Sequence, residues 1–313
     1  MSGGVMISRT FVAGLMVVAA CAGCGHSKYA AELVTPQADH SLMDNLLWTD
    51  SSAARQGIDC VAFETDDGVT IDAWVIRSQT RPPLGTMVLL HGLNESKASW
   101  PYLGAGERLA KKGYDVVLPD LRAHGDSTGE HITYGVKEKH DIKSLVTDLK
   151  RTGKIEGKVY VFGVNYGADV ALQYAAIDQR VQGVMAVAPH VDFATSARQQ
   201  LRGLLLSAAQ EDAIIKEAAT IAGFDASETS ALAAAAAIKC PVYLVHGLLD
   251  PIVPLDASRQ ILAAAGDPKR LRVMGLDQLG IVAILEDWIA DEMDAFARDG
   301  LTPRETQPAT QMQ

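Results

Sequence analysis

The chain has 313 residues, 48% apolar and 21% charged, which is enough material for a sizeable core and excludes wholesale disorder. Its net charge of −10, from 28 basic and 38 acidic side chains, argues against a nucleic-acid binder, whose footprint is a basic face. Four cysteines are too few for a disulfide scaffold, and aromatics at 6% leave little stacking surface for bases or sugars.

Residues 1–20 read as a targeting segment that takes no part in the fold. Arg9 supplies a basic start. Residues 10–20 form an acid-free, mostly apolar run, too short to span a ~30 Å hydrocarbon core as a helix. Val18-Ala19-Ala20-Cys21 resembles a bacterial lipobox, in which the cysteine is acylated and becomes the new N-terminus. Cys24 is a second candidate that fits less well, and an ordinary cleaved signal leaving two plain thiols is the alternative. Acyl chains anchor at ~0.8 kcal/mol per buried methylene, so a multiply acylated Cys21 holds without any membrane-spanning helix. The expectation is a protein of the bacterial cell envelope, lipid-anchored on the periplasmic or extracellular face. Residues 21–55 would be tether and approach segment.

The elements follow in chain order. Runs 59–64 and 70–77 alternate and flank Asp66-Asp67-Gly68, a hairpin turn signal. A strand over 86–90 leads to a helix over 101–112 that stops at Gly113, and a strand over 115–118 follows. The segment 138–150 is helical, with Ile142, Leu145, Val146 and Leu149 on one face. A strand over 158–162, a helix over 166–177 and a strand over 184–187 come next. After an interruption there are a strand over 241–246, a helix over 257–265 and a last strand over 271–274. A final helix is expected from about 279 to 296, with Ile281, Ile284, Leu285, Trp288, Ile289, Met293 and Phe296 on one face. Apolar strands alternating with helices imply a parallel sheet covered on both faces. Residues 191–239 read as extra helices forming a small lid, and 299–313 as a disordered polar tail.

Four spaced motifs over roughly 56–298 resemble the α/β-hydrolase superfamily, in its serine-aminopeptidase-like and monoacylglycerol-lipase-like branch. They are Leu90-His91-Gly92-Leu93, the loop Asp120 to Gly129, the elbow Gly163-Val164-Asn165-Tyr166-Gly167, and the segment His246 to Pro254. The loop departs from the family pattern at Ala123, where glycine is usual. The resemblance implies a mostly parallel eight-stranded sheet with helices on both faces. It also implies that the triad positions are Asn165, Asp250 and Gln278, and that the oxyanion donors are the backbone N–H groups of Leu93 and Tyr166.

Two of those positions have lost their chemistry. Active relatives carry a serine at the elbow. The carboxamide nitrogen of Asn165 is delocalised and has no useful lone pair for attack. Gln278 falls where the family has histidine, and glutamine has no group titrating near neutral pH to carry a proton. No histidine follows His246, so the base has not merely shifted along the chain. Asp250 remains without an imidazole to orient. Either the oxyanion donors still bind a carbonyl or anion, or the side chain of Asn165 or Gln278 fills the site. A catalytically inactive, membrane-anchored protein that binds a small apolar or carbonyl-bearing ligand, or serves as a scaffold, is the leading expectation. The competing one is a working ester, amide or lipid hydrolase with an unorthodox set, such as His190 with water and Asp250.

The remaining chemistry-bearing residues have plainer readings. Ser127 sits in a G-x-S-x-G match without a strand-to-helix context and reads as structural. His190, at a strand's C-terminal end with Asp192 two residues on, is a candidate pocket residue. His91 and His246 read as structural, and Cys60 and Cys240 as separate thiols. The scattered histidines and cysteines match no ligand spacing, so no metal or cofactor is expected.

Overall fold

A computed structural model describes residues 24–37, 49–99, 101–276 and 285–301. Eight strands form one sheet in the order β1-β2-β4-β3-β5-β6-β7-β8. They are β1 (Asp59–Glu64), β2 (Thr70–Ile76), β3 (Gly85–Leu90), β4 (Tyr114–Pro119), β5 (Val159–Val164), β6 (Val181–Val187), β7 (Val242–Gly247) and β8 (Lys269–Met274). β1 and β2 form the expected hairpin, β2 runs antiparallel to β4, and all later pairs are parallel. β3, β4, β5 and β7 are buried along their whole length, which is why they read as mostly apolar runs.

Strand alternation sends neighbouring side chains to opposite layers. Met87 and Leu89 of β3 join the layer that holds Leu109 of α3 (Tyr102–Lys112) and Ile289 and Met293 of α10 (Leu285–Asp299). Val88 and Leu90 join the opposite layer, with Ile142 and Leu145 of α4 (Glu138–Arg151) and Val170 and Leu172 of α5 (Tyr166–Ile177). α3 ends on Gly113 at φ 108°, a left-handed cap that glycine adopts without strain.

The structure departs from the sequence expectation in two places. First, part of the supposed tether belongs to the fold. α1 (Cys24–Val34) packs against α7 (Ala208–Ala222), Leu33 and Val34 are buried, and the Tyr134 hydroxyl donates to the Leu33 carbonyl at 2.6 Å. A further helix, α2 (Asp50–Arg55), is capped by Thr49 just before β1. Second, β6 starts at Val181 rather than 184, because Gln182 points to solvent and Gly183 has no side chain to mark the strand. A Cβ on Gly183 would come within 2.8 Å of the Phe296 ring, so α10 needs that gap. α10 is described from Leu285 onward, and the expected start of that helix lies outside the described residues.

Residues 191–239 do interrupt the alternation with helices: α6 (Phe193–Gln200), α7, a short 3₁₀ turn over Ala226–Glu228 and α8 (Ala231–Ala237). The last strand-to-strand helix is α9 (Leu255–Ala264). Parallel register brings the carboxyl ends of β5, β6 and β7 side by side, pairing Val164 with Val187 and Val187 with Val245. The loops that follow these strands therefore share one sheet edge, where open α/β sheets bind ligands.

Candidate functional site

The strand-to-helix turn after β5 is tight because two glycines allow it. A Cβ on Gly163 would lie 2.1 Å from the Gly167 carbonyl oxygen, and one on Gly167 would lie 2.4 Å from the Leu90 and His91 oxygens. Between them Asn165 sits at φ 50°, ψ −116°. Such a conformation is strained for an L-residue and is kept only where the surroundings impose it. They do: the Asn165 N–H donates to the Val187 carbonyl at 2.8 Å, and the Asn165 carbonyl accepts from Ala168 and Asp169.

The Asn165 side chain turns back on the helix start. Its Oδ1 accepts from the Tyr166 N–H at 2.8 Å. One of the two expected oxyanion donors is thus occupied by the side chain at the position where the sequence led us to expect a nucleophile. The carboxamide oxygen must face that N–H, so Nδ2 is the end left to present to the cavity. Leu93, which would carry the other donor, lines the same cavity, and its N–H makes no hydrogen bond among the described residues.

That cavity measures about 390 Å³, within the range of small-molecule sites. Gly92, Leu93 and Asn94 from the β3 loop, Asn165, His190, Ile252, and Ser196, Gln199 and Gln200 of α6 line it. The helical insertion therefore contributes one wall.

Asp250 follows β7. Its Oδ1 accepts from the Ile252 and Val253 N–H groups at 2.8 and 2.9 Å. Its side chain is fully buried, and Oδ2 has no hydrogen-bond partner. His246 Nε2 is 3.9 Å from that oxygen but is bonded instead to the Val253 carbonyl at 2.8 Å, while Nδ1 meets the Ser258 hydroxyl at 2.7 Å. His246 is thereby committed to holding the loop. Gln278 and Cys21 lie outside the described residues.

His190 lines the cavity, and its partner differs from the one suggested by the sequence. Asp192 caps α6 by accepting from the Thr195 N–H at 2.7 Å. The carboxylate beside His190 is Asp169 of α5. Asp169 Oδ1 accepts from the His190 N–H at 2.7 Å, and Oδ2 accepts from Nδ1 at 2.9 Å. Asp169 is buried, and this raises its carboxyl pKa despite the opposing contacts with His190. The sequence carried a signal for it: Asp169 is a carboxylate on a helix whose other first-turn neighbours are apolar and buried, and a buried carboxylate demands a partner.

Buried polar contacts fix the loops after β3 and β4. His91 Nε2 accepts from the Leu121 N–H, and His124 Nδ1 bonds the Arg122 carbonyl. Burial depresses their pKa to about 4 and about 3, so both are neutral. The Ser127 hydroxyl donates to the Asp120 carbonyl and accepts from the Asp72 N–H, which makes it structural. Oxygens of Asp50, Asp72 and Asp126 gather within 4.8 Å, but the Lys97 ammonium sits against Asp72 and Asp126 at 2.9 and 2.7 Å and against Asp120 at 2.6 Å. The cluster already holds its counter-charge. Cys60 and Cys240 are free thiols, each raised to about 11 by burial.

Comparison with known proteins agrees with this architecture. A family model described as alpha/beta hydrolase fold matches residues 85–220. The chain is 34% identical over 141 residues to the polyketide transferase ATR5 of Stachybotrys chlorohalonatus, covering 42% of this chain and 45% of that protein. It is 28% identical over 202 residues to the uncharacterized protein YqkD of Bacillus subtilis, covering 60% and 62%. The matched stretches thus span about half to three-fifths of these relatives. The Pyrococcus furiosus esterase Pf2001 superposes with a TM-score of 0.64 at 23% identity, over 80% of this chain and 96% of that one.

Proposed function

This chain has the α/β-hydrolase fold, and from that premise we propose that it has lost the acyl-enzyme route of the fold and uses the retained cavity to bind a small carbonyl-bearing ligand. The observation that carries this reading is Asn165. It keeps the strained elbow conformation, at φ 50°, but offers a carboxamide in place of a hydroxyl, and it occupies the Tyr166 N–H with its own oxygen. A covalent acyl intermediate needs an activated nucleophile and a base positioned beside it. Gln278, at the position expected for the base, supplies neither. In a well-studied serine protease, losing the nucleophile or the base alone costs on the order of 10⁶ in turnover.

The ligand sits between the β3 loop, the elbow and α6, with residues 191–239 acting as a lid. Leu93 N–H and Asn165 Nδ2 are donors for a carbonyl oxygen, and Leu93 and Ile252 provide apolar contact. The mature protein is tethered to a membrane of the cell envelope through acylated Cys21. No described helix is long and apolar enough to cross a membrane. A serine-directed fluorophosphonate should leave the folded protein unlabelled, while a panel of small esters, amides and lactones should contain members that raise its melting temperature. Stoichiometric labelling would overturn the reading, and so would a cavity that no carbonyl compound stabilises. For the tether, the full-length protein should partition into detergent and Cys21→Ser should move it to the aqueous phase.

A further inference from the structure

We infer that His190 and Asp169 form a proton-handling centre in this cavity, able to hydrolyse activated acyl compounds by direct attack of water with no covalent intermediate. The inference rests on the proposed carbonyl-binding cavity and narrows its use. Ligands with poor leaving groups are held intact, and those with good leaving groups are slowly hydrolysed.

The geometry is that of an oriented base. Asp169 accepts from both the backbone N–H and the ring Nδ1 of His190, at 2.7 and 2.9 Å, which fixes the imidazole's rotation and its Nδ1–H tautomer. Nε2 is then the lone-pair nitrogen, and it has no hydrogen-bond partner among the described residues. His190 is 4% exposed and lines the cavity, so that small exposure faces the ligand space. Asp169 lies in the first turn of α5, where the positive end of the helix favours its negative charge. The elbow is adjacent, since Asn165 N–H bonds the Val187 carbonyl three residues before His190. A proton acceptor and carbonyl-facing donors therefore share one compartment. A histidine that only held the fold would be expected to use both ring nitrogens, as His246 does.

The step balances without a cofactor. Water oxygen bonds to the acyl carbon as Nε2 takes one of its protons. Negative charge moves to the carbonyl oxygen, facing Asn165 Nδ2 and the Leu93 N–H. Collapse of this adduct breaks the bond to the leaving-group oxygen, which receives the proton from the imidazolium. Acid and alcohol are released, and His190 returns to its starting form. His190 is the catalytic residue, and Asp169 a positioning residue.

The probe is 4-nitrophenyl acetate with the purified full-length protein. Hydrolysis should exceed that of free imidazole at eight times the protein concentration, run without a burst, and leave no acetyl group on the intact protein by mass. His190→Gln should lower kcat by about 10²-fold, the low end of what a positioned base contributes. Asp169→Asn should lower kcat and leave KM within about twofold, because the ligand does not touch it. If His190→Gln fails to fold, Gln199→Trp, which fills the cavity from α6 and leaves His190 and Asp169 in place, should abolish the rate. A rate no higher than imidazole, or one that survives in folded His190→Gln or Gln199→Trp, overturns the inference and leaves the binding proposal standing. A burst with an acetylated protein overturns both.

Discussion

The Oδ1 of Asn165 lies 2.8 Å from the backbone nitrogen of Tyr166, its own neighbour in the chain. At the position where a nucleophile is expected, the side chain thus occupies the donor expected to steady an oxyanion. The same rotamer satisfies one orphan N–H at the start of α5, a capping role that asparagine fills well. Asparagine here offers local stability and no nucleophilic group.

A nucleophile and its base should be installable here. Asp250 Oδ2 is buried without a hydrogen-bond partner, at the edge where an imidazole N–H would be welcome. Asn165→Ser alone should stay unlabelled by a fluorophosphonate, because a hydroxyl with no base is a poor nucleophile. Asn165→Ser with Gln278→His should become labelled. A folded double variant that resists the probe would show that position 278 does not reach the elbow.

Ala123 sits at φ 61°, a left-handed conformation that costs an L-residue about 1–2 kcal/mol and costs glycine almost nothing. Its N–H closes the loop by donating to the Thr128 carbonyl. Ala123→Gly should stabilise the protein by about 0.5–1 kcal/mol after the entropy of the unfolded glycine is subtracted. Differential scanning calorimetry should show Tm rising by about 1–2 °C. A fall in Tm would mean that the loop holds Ala123 by contacts that outweigh the backbone strain.

The sheet was legible because fully buried strands leave apolar runs and the elbow leaves paired glycines. β6 was shortened in the reading because Gln182 and Gly183 broke the run while the ladder continued through them. α1 was missed because its apolar face means little until α7 is there to cover it. Asn165, Asp250, Leu93 and His190 could be placed at one edge from motif spacing alone. The partner of His190 could not, since Asp192 is nearer in sequence and only the fold brings Asp169 within 2.9 Å. Whether the Tyr166 N–H stays open depends on one side-chain rotamer, which no pattern encodes.

Arg122 is 5% exposed and grips Asp141 through Nε and Nη2 with two hydrogen bonds of 2.7 Å, while Nη1 and the shared Nη2 reach Asp67 at 3.1 and 3.4 Å. Those contacts hold the Asp67 carboxyl down at about 2. Burial raises Asp141 to about 6 despite the same guanidinium, so desolvation outweighs attraction there. Arg122→Gln leaves that carboxylate buried and unpaired and should cost about 3–5 kcal/mol in urea unfolding. Adding Asp141→Asn removes the orphaned charge and should recover part of the loss. A cost under about 1 kcal/mol would mean water reaches Asp141 once the arginine is gone.

The neutral pair His91 and His124 should make the protein acid-sensitive well above the carboxylate range. Their ring centroids are 4.9 Å apart, so protonating one disfavours protonating the other. Burial sets their folded pKa at about 4 and about 3, below the ~6.5 of an unfolded histidine. Below pH ~6.5 the unfolded chain then binds more protons than the folded one, and stability falls as pH falls. Each imidazole should remove about 1.5 kcal/mol between pH 6.5 and 5. Asp141, raised to about 6, acts with the opposite sign in part of that window, so the total slope alone would mislead. His124→Gln isolates the effect, because Asp141 is common to both proteins. The variant should be less stable than the parent at pH 7.5, through loss of the Asn94 and Arg122 contacts. Its deficit should shrink by about 1.5 kcal/mol as the denaturation series moves from pH 6.5 to 5. A deficit that stays constant across that range would mean His124 takes up its proton as readily folded as unfolded, and the buried neutral pair would have to be abandoned.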